Sequence, residues 1–159
     1  SSLIEEVVAP HRDFGIAIGV TIAASDATEP IGARNAGILY GLGNILENAV
    51  DFSRERVEVI ARANADEVEI VIADDGPGIP PEVLSRIGEP YLSRRQGQRG
   101  LGLGVFIAKT LLERSGATVS FTNRKFPDHG AVVTVRWTRE DFDRKSPRNQ
   151  TEVEDPATI

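Results

Sequence analysis

In residues 56–63 (RVEVIARA) and 67–73 (EVEIVIA) polar and apolar side chains alternate, and only Asn64-Ala65-Asp66 separates the two runs. Alternation with a period of two buries one face of a strand, so the pair predicts an antiparallel hairpin with one buried face. The second strand runs directly into Asp74-Asp75-Gly76-Pro77-Gly78-Ile79-Pro80. Two glycines and two prolines in that stretch rule out continued strand or helix. A sheet with one apolar face needs a covering layer, and the rest of the chain must supply it.

The main cover is a helix predicted over roughly 36–52. Ile38, Leu39, Leu42, Ile45, Leu46, Ala49 and Val50 give it a broad apolar face. Asn44 and Asn48 stand one turn apart on a single face. Stacked carboxamides could offer oxygens to a hard cation or donors to a phosphate, or could be a solvated face.

Residues 14–24 (FGIAIGVTIAA) read as a strand and 25–35 as a loop. Pro81 is placed to start a short helix, PEVLSRI, ending at Gly88. The polar, basic stretch 91–99 reads as a mobile loop. Gly100-Leu101-Gly102-Leu103-Gly104 leads into a helix, VFIAKTLLERSG, with Gly116 as its C-terminal cap. Residues 117–123 and 131–137 predict a final hairpin across RKFPDHG. Residues 3–8 are a short helix end or linker stopped by Pro10.

The fold class that follows is α+β: a two-layer sandwich, its mixed, mostly antiparallel sheet of about five strands packed against three helices. Domain bounds are expected at 1–13 (linker or end of a preceding helix), 14–140 (the globular unit) and 141–159 (a polar tail expected to be disordered). The 159 residues suit one domain. The opening Ser-Ser suggests a fragment of something larger. No apolar run approaches the roughly 20 residues that span a bilayer, and no secretory signal pattern opens the chain. The absence of cysteine excludes disulfide and zinc-thiolate sites within these residues. His11 and His129 lack metal-ligand spacing and read as solvated bystanders. A net charge of -6 argues against non-specific nucleic-acid binding, although positive charge gathers at Arg94, Arg95 and Arg99.

Gly76 and Gly78 let backbone come close to a flat ligand, and Asp74, at the strand end, can accept a hydrogen bond from an exocyclic amine such as adenine's. A capping aspartate on an ordinary turn reads as well. The run Gly100-x-Gly102-x-Gly104 precedes a helix whose first amides are unpaired, a setting that suits an anion. A Rossmann reading fits poorly, because no βαβ unit with an acidic residue about 20 positions on accompanies the run.

The order Asn44…Asn48, Asp74-x-Gly-x-Gly, Glu89-Pro90-Tyr91, Gly-Leu-Gly-Leu-Gly resembles the N, G1, F and G2 boxes of sensor histidine kinases. These belong to a superfamily shared with DNA gyrase, MutL and a class of heat-shock chaperones. The resemblance covers roughly 14–138, rests on NILENAVDFS, DDGPGIP and GLGLGVFIAKTLLERSG, and is nearest the redox-responsive RegB/PrrB branch.

The resemblance implies a Bergerat-type catalytic domain that binds ATP and Mg²⁺. It implies Asn48 as the metal ligand with Asn44 beside it, and Asp74 on the adenine amine with Gly76, Gly78 and Ile79 shaping the base pocket. It also implies Gly100, Leu101, Gly102, Leu103 and Gly104 along the phosphates and a lid over 91–99 carrying Tyr91, Arg94, Arg95 and Arg99. The implied partners are a separate dimerisation and histidine phosphotransfer domain and a response regulator. The intact kinase would be a membrane-anchored homodimer, with this portion cytoplasmic and touching no membrane.

Two positions depart from the pattern: Asp51 replaces a frequent lysine, and Gly88 stands where a phenylalanine is common. Asn44, which fits the kinase pattern, stands where the superfamily's hydrolases carry a glutamate. An amide cannot act as a general base, so phosphoryl transfer to histidine is expected over hydrolysis. An ATP-hydrolysing clamp and a docking module without catalysis are the rival readings. ATP turnover by this chain would favour the first, and failure to bind nucleotide the second.

Overall fold

In the computed structural model, residues 2–12, 15–24, 35–87 and 103–143 are described. Five strands, β1 (Ala17–Ala24), β2 (Arg56–Ala63), β3 (Glu67–Asp74), β4 (Thr118–Asn123) and β5 (Ala131–Thr138), form one sheet in the order β1-β2-β3-β5-β4. Only β1 pairs parallel with its neighbour, in register Ala17↔Arg56; the other pairs are antiparallel, so the sheet is mixed as expected.

The helices are α1 (Ser2–Val8), α2 (Ala36–Phe52), α3 (Pro81–Leu84), α4 (Leu103–Arg114) and α5 (Arg139–Asp143), with a 3₁₀ turn at Ala9–His11. Period-two alternation puts Val57 and Val59 of β2 and Val68, Ile70 and Ile72 of β3 on the buried face. Leu42, Ile45, Leu46 and Ala49 of α2 and Ala108 and Leu112 of α4 cover them in one core. Full burial of each large aliphatic side chain there stabilises the fold by roughly 1.5–3 kcal/mol.

The two long helices meet closely because of Gly41. A Cβ at that position would lie 2.7 Å from Leu112 Cγ and 3.2 Å from the Ala108 carbonyl oxygen. Asn35 starts α2 by accepting the Gly37 amide at 2.8 Å. Gly116, at φ +96°, ends α4 in a Schellman arrangement: the Ala117 amide reaches the Leu112 carbonyl and the Gly116 amide the Glu113 carbonyl.

Some expectations change. Three helices were anticipated and five α-helices occur among the described residues; the additional ones are α1 and α5, and both supply core. Leu3, Ile4, Val7 and Val8 of α1 are buried, so this segment is packed structure, and Pro10 only converts its end to a 3₁₀ turn. Phe142 of α5 is buried edge-on against Trp137, with ring centroids 5.1 Å apart. Helix α3 stops at Leu84, three residues short of the anticipated end. The Ser85 hydroxyl donates to the Glu82 carbonyl there, and the Arg86 amide turns back to Val83. The chain also contains one βαβ unit, β1-α2-β2, but α2 and not the glycine run lies inside it. Residues 144–159, most of the anticipated tail, lie outside the described residues.

Candidate functional site

A cavity lies between α2 and the sheet, where β3 ends. Its walls are apolar, with Ile45 on α2, Ile72 and Val133 on the sheet, Val105 on α4 and Phe121 on β4. Two polar side chains, Asn48 and Asp74, enter it. Gly78 and Ile79 complete one side. Apolar walls with a few convergent polar groups are the usual make-up of a small-molecule site.

Asp74 is a buried carboxylate, only 4% exposed. Its Oδ1 accepts the Gly76 amide at 2.8 Å and the Ala131 amide at 3.1 Å. Its Oδ2 receives no hydrogen bond from the described residues. A polar group in a buried side chain is suited to a donor that reaches it, and the open acceptor of the Asp74 carboxyl therefore suits a ligand N–H. Asn48 shows the same incompleteness. Its Oδ1 is buried and lacks a hydrogen-bond partner among the described residues. A buried, unpartnered amide oxygen fits the oxygen-ligand preference of a hard divalent cation.

The two asparagines do not face the same space. Asn44 donates from Nδ2 to the Tyr40 carbonyl at 3.1 Å and lines a separate groove between α1 and α2 with His11, Tyr40 and Glu47. One helical turn separates a side chain at the cavity from one at the neighbouring groove. Gly104 lies on α4 with nothing among the described residues within 4 Å of its absent Cβ, and Leu103 begins that helix. Tyr91, Arg94, Arg95, Arg99, Gly100, Leu101 and Gly102 lie outside the described residues.

The glycines of the turn serve different ends. A Cβ on Gly76 would sit 2.1 Å from the Phe52 carbonyl oxygen, so that space belongs to the C-terminus of α2 and not to a ligand. Gly78 takes φ +83°, a left-handed backbone that glycine adopts without penalty, and it does line the cavity.

Several residues that fix this geometry escaped the sequence reading. Asp75 accepts the amides of Arg54 at 2.7 Å and Arg56 at 3.1 Å, and also that of Glu55, tying the end of α2 to the end of β3. Desolvation pushes its carboxyl up, but the amides of Arg54, Glu55 and Arg56 together outweigh it and hold the group below the usual carboxylate value.

The β4–β5 hairpin grips the other side of the turn. Asn123 Nδ2 donates to the Ile79 carbonyl at 2.8 Å while its Oδ1 accepts the Ile79 amide at 2.7 Å. Arg124 Nε donates to the Asp74 carbonyl at 2.9 Å. His129 Nδ1 lies 3.0 Å from the Gly76 carbonyl and must carry the proton there, since a carbonyl only accepts. This corrects the bystander reading of His129, whose partner is 53 residues away in the chain. A Cβ on Gly130 would lie 1.9 Å from the Asp74 carbonyl oxygen, so hairpin and turn are in direct backbone contact. The Asn-Arg…His-Gly composition of the hairpin was visible, but nothing local signals contacts 44 to 57 residues away.

Comparison with known proteins places these features in context. Residues 35–141 match the profile described as "Histidine kinase-, DNA gyrase B-, and HSP90-like ATPase". The sensor histidine kinase RegB of Cereibacter sphaeroides is 39% identical, over 85% of this chain and 34% of its own length. The chain thus spans about a third of the length of these curated relatives. Among solved structures, the catalytic domain of histidine kinase ThkA superposes with a TM-score of 0.69 at 21% identity, covering 90% of this chain and 94% of that one. Full-length ShkA, solved in complex with AMPPNP, matches with a TM-score of 0.66 at 26% identity, over 86% of this chain and 29% of ShkA.

Proposed function

Since the chain belongs to the histidine kinase-, DNA gyrase B- and HSP90-like ATPase family, we propose that it binds Mg-ATP and delivers the γ-phosphoryl group to a histidine on a separate domain. The observation that carries this reading is the pair of incomplete polar groups in one apolar cavity, the Oδ2 of Asp74 and the Oδ1 of Asn48. Asp74 Oδ2 accepts a hydrogen bond from the adenine amine. Gly78 and Ile79 border the base, and apolar neighbours such as Ile45 and Val133 exclude water from it. Asn48 Oδ1 would hold Mg²⁺, which when bound neutralises phosphate charge and takes its other oxygens from phosphate and water.

Two further points support the reading. ShkA, a relative in fold, was solved with an ATP analogue. Among the described residues Asp74 is the only titratable side chain lining the cavity, and Glu47 lines the α1–α2 groove instead. Asn44 carries an amide and cannot take a proton from water. Transfer therefore depends on positioning and charge stabilisation, and hydrolysis by this chain is slow or absent. Glycine-flanked amides at the start of α4 border the phosphates, and the arginines at 94, 95 and 99 neutralise them as part of a lid. The acceptor domain, the response regulator, homodimerisation and a membrane anchor belong to the whole kinase. No helix among the described residues is long and apolar enough to cross a membrane.

Calorimetric titration with ADP and a non-hydrolysable ATP analogue, with and without Mg²⁺ and beside GTP, tests the proposal. Adenine-selective binding strengthened by Mg²⁺ is expected. Asn48→Ala should remove the Mg²⁺ dependence, and Asp74→Asn should remove the preference for adenine. Nucleotide binding unaffected by either substitution would show that this cavity is not the site.

A further inference from the structure

Asn123 is the last residue of β4 and does not itself line the cavity. Its carboxamide nevertheless satisfies both backbone groups of Ile79, which does. Two antiparallel hydrogen bonds to one residue fix the orientation of its backbone as well as its distance. The adjacent Gly78 is locked into the same arrangement: a Cβ there would stand 3.0 Å from Asn123 Oδ1. At its other end the turn is pinned by the same hairpin, through the Ala131 amide on Asp74 Oδ1 and through Arg124 Nε on the Asp74 carbonyl. The turn is thus clamped at Asp74 and at Ile79, and its span between these points has no regular hydrogen-bond ladder.

We propose that Asn123 is a positioning residue for base discrimination. By holding Ile79 it sets the level at which a purine enters the cavity, and hence whether the exocyclic amine meets Asp74 Oδ2. This rests on the adenine-nucleotide reading above. A carboxylate placed at the 6-position separates adenine from guanine because one presents an amine there and the other a carbonyl, and a mismatch leaves a buried acceptor unpaired. Such discrimination is steep in distance, so loosening the wall at Ile79 erodes it even when Asp74 is intact.

The test is the ratio of ADP to GDP affinity, measured by calorimetry, with thermal unfolding of each variant followed in parallel. A purely structural loss weakens both nucleotides alike and leaves the ratio unchanged. Asn123→Ala is expected to lower the ratio by about tenfold, the equivalent of losing roughly one net hydrogen bond at the base. Asn123→Asp keeps the side-chain volume and the acceptor for the Ile79 amide but sets an oxygen against the Ile79 carbonyl. It should lower the ratio similarly, and its added charge acts equally on both nucleotides. In an Asp74→Asn background, Asn123→Ala should change the ratio no further.

A wild-type ratio retained in both Asn123 variants would overturn the assignment while leaving the site reading intact. A tenfold drop that persists in full on the Asp74→Asn background would also overturn it, because Asn123 would then act by another route. Wild-type protein that binds neither nucleotide would remove the site reading and this proposal together.

Discussion

Of the three glycines of helix α2, Gly41 and Gly43 stand two residues apart, and the structure assigns them opposite responses to the same substitution. Alanine improves on glycine inside a helix by about 0.5–1 kcal/mol through the smaller backbone entropy lost on folding. At Gly43 nothing among the described residues lies within 4 Å of the added Cβ, so Gly43→Ala should realise that gain. At Gly41 the methyl would lie 2.7 Å from Leu112 Cγ and 3.1 Å from its Cδ2. Leu112 is fully buried. Overpacking of this kind costs about 1–3 kcal/mol, which cancels or exceeds the helical gain. The propensity term is common to both variants, so the difference between them isolates the packing term at about 1–3 kcal/mol. In a domain of this size that separates their melting temperatures by about 2–4 °C for each kcal/mol. Urea unfolding read by far-ultraviolet circular dichroism gives both values. Adding Leu112→Val to Gly41→Ala should recover part of the loss. Two alanine variants that agree within about 0.5 kcal/mol would refute the close α2–α4 packing on which the placement of Asn48 depends.

Two other perturbations test features of the frame. Asp75 holds a lowered pKa in the fold, so the stability it contributes is fully present above the ordinary carboxylate value of 3.8 and is lost as pH falls through the folded-state value. Asp75→Asn should therefore be less stable than the parent near neutrality, with the gap in urea midpoints closing below about pH 4; a gap independent of pH would rule out the charged contact. Phe142→Ala should cost about 3 kcal/mol, as for a core aromatic, and a melting temperature equal to the parent's would show that α5 is not part of the core.

What could be read from the sequence was whatever local period controls. Helix α2 is found over Ala36–Phe52, because its apolar face repeats at helical spacing. The strands β2, β3, β4 and β5 follow from alternation and from the turns between them. The parallel pairing of β1 with β2 was not legible, since AIGVTIAA has no alternation to declare its neighbour. The core role of α1 was hidden for a similar reason: a heptapeptide before a proline looks the same whether it packs or trails. At the candidate site, Asp74 and Gly78 could be picked out as turn residues, and both line the cavity. The reason for Gly76 could not, since the Phe52 carbonyl that excludes its Cβ is brought there by tertiary packing. Asn123, Arg124 and His129 act only through main-chain groups about 44–53 residues away, and side chains that bind backbone leave no complementary residue to notice.

The clamp from the last hairpin has a temporal side. A chain growing from its N-terminus completes α2, β2 and β3 while the residues that secure the Asp74 turn have yet to be made. Until Ala131 emerges, Asp74 Oδ1 lacks one of its two amides, and without Asn123 the Ile79 peptide lacks both of its side-chain hydrogen bonds. The pocket is consequently a late product of synthesis, finished by the same strand, β5, that inserts between β3 and β4 and closes the sheet. A nascent or truncated chain ending before that strand carries the asparagines and the glycine turn without the hairpin contacts that pin the turn. Under the nucleotide reading proposed above, binding then requires the final hairpin as well as the residues that line the pocket.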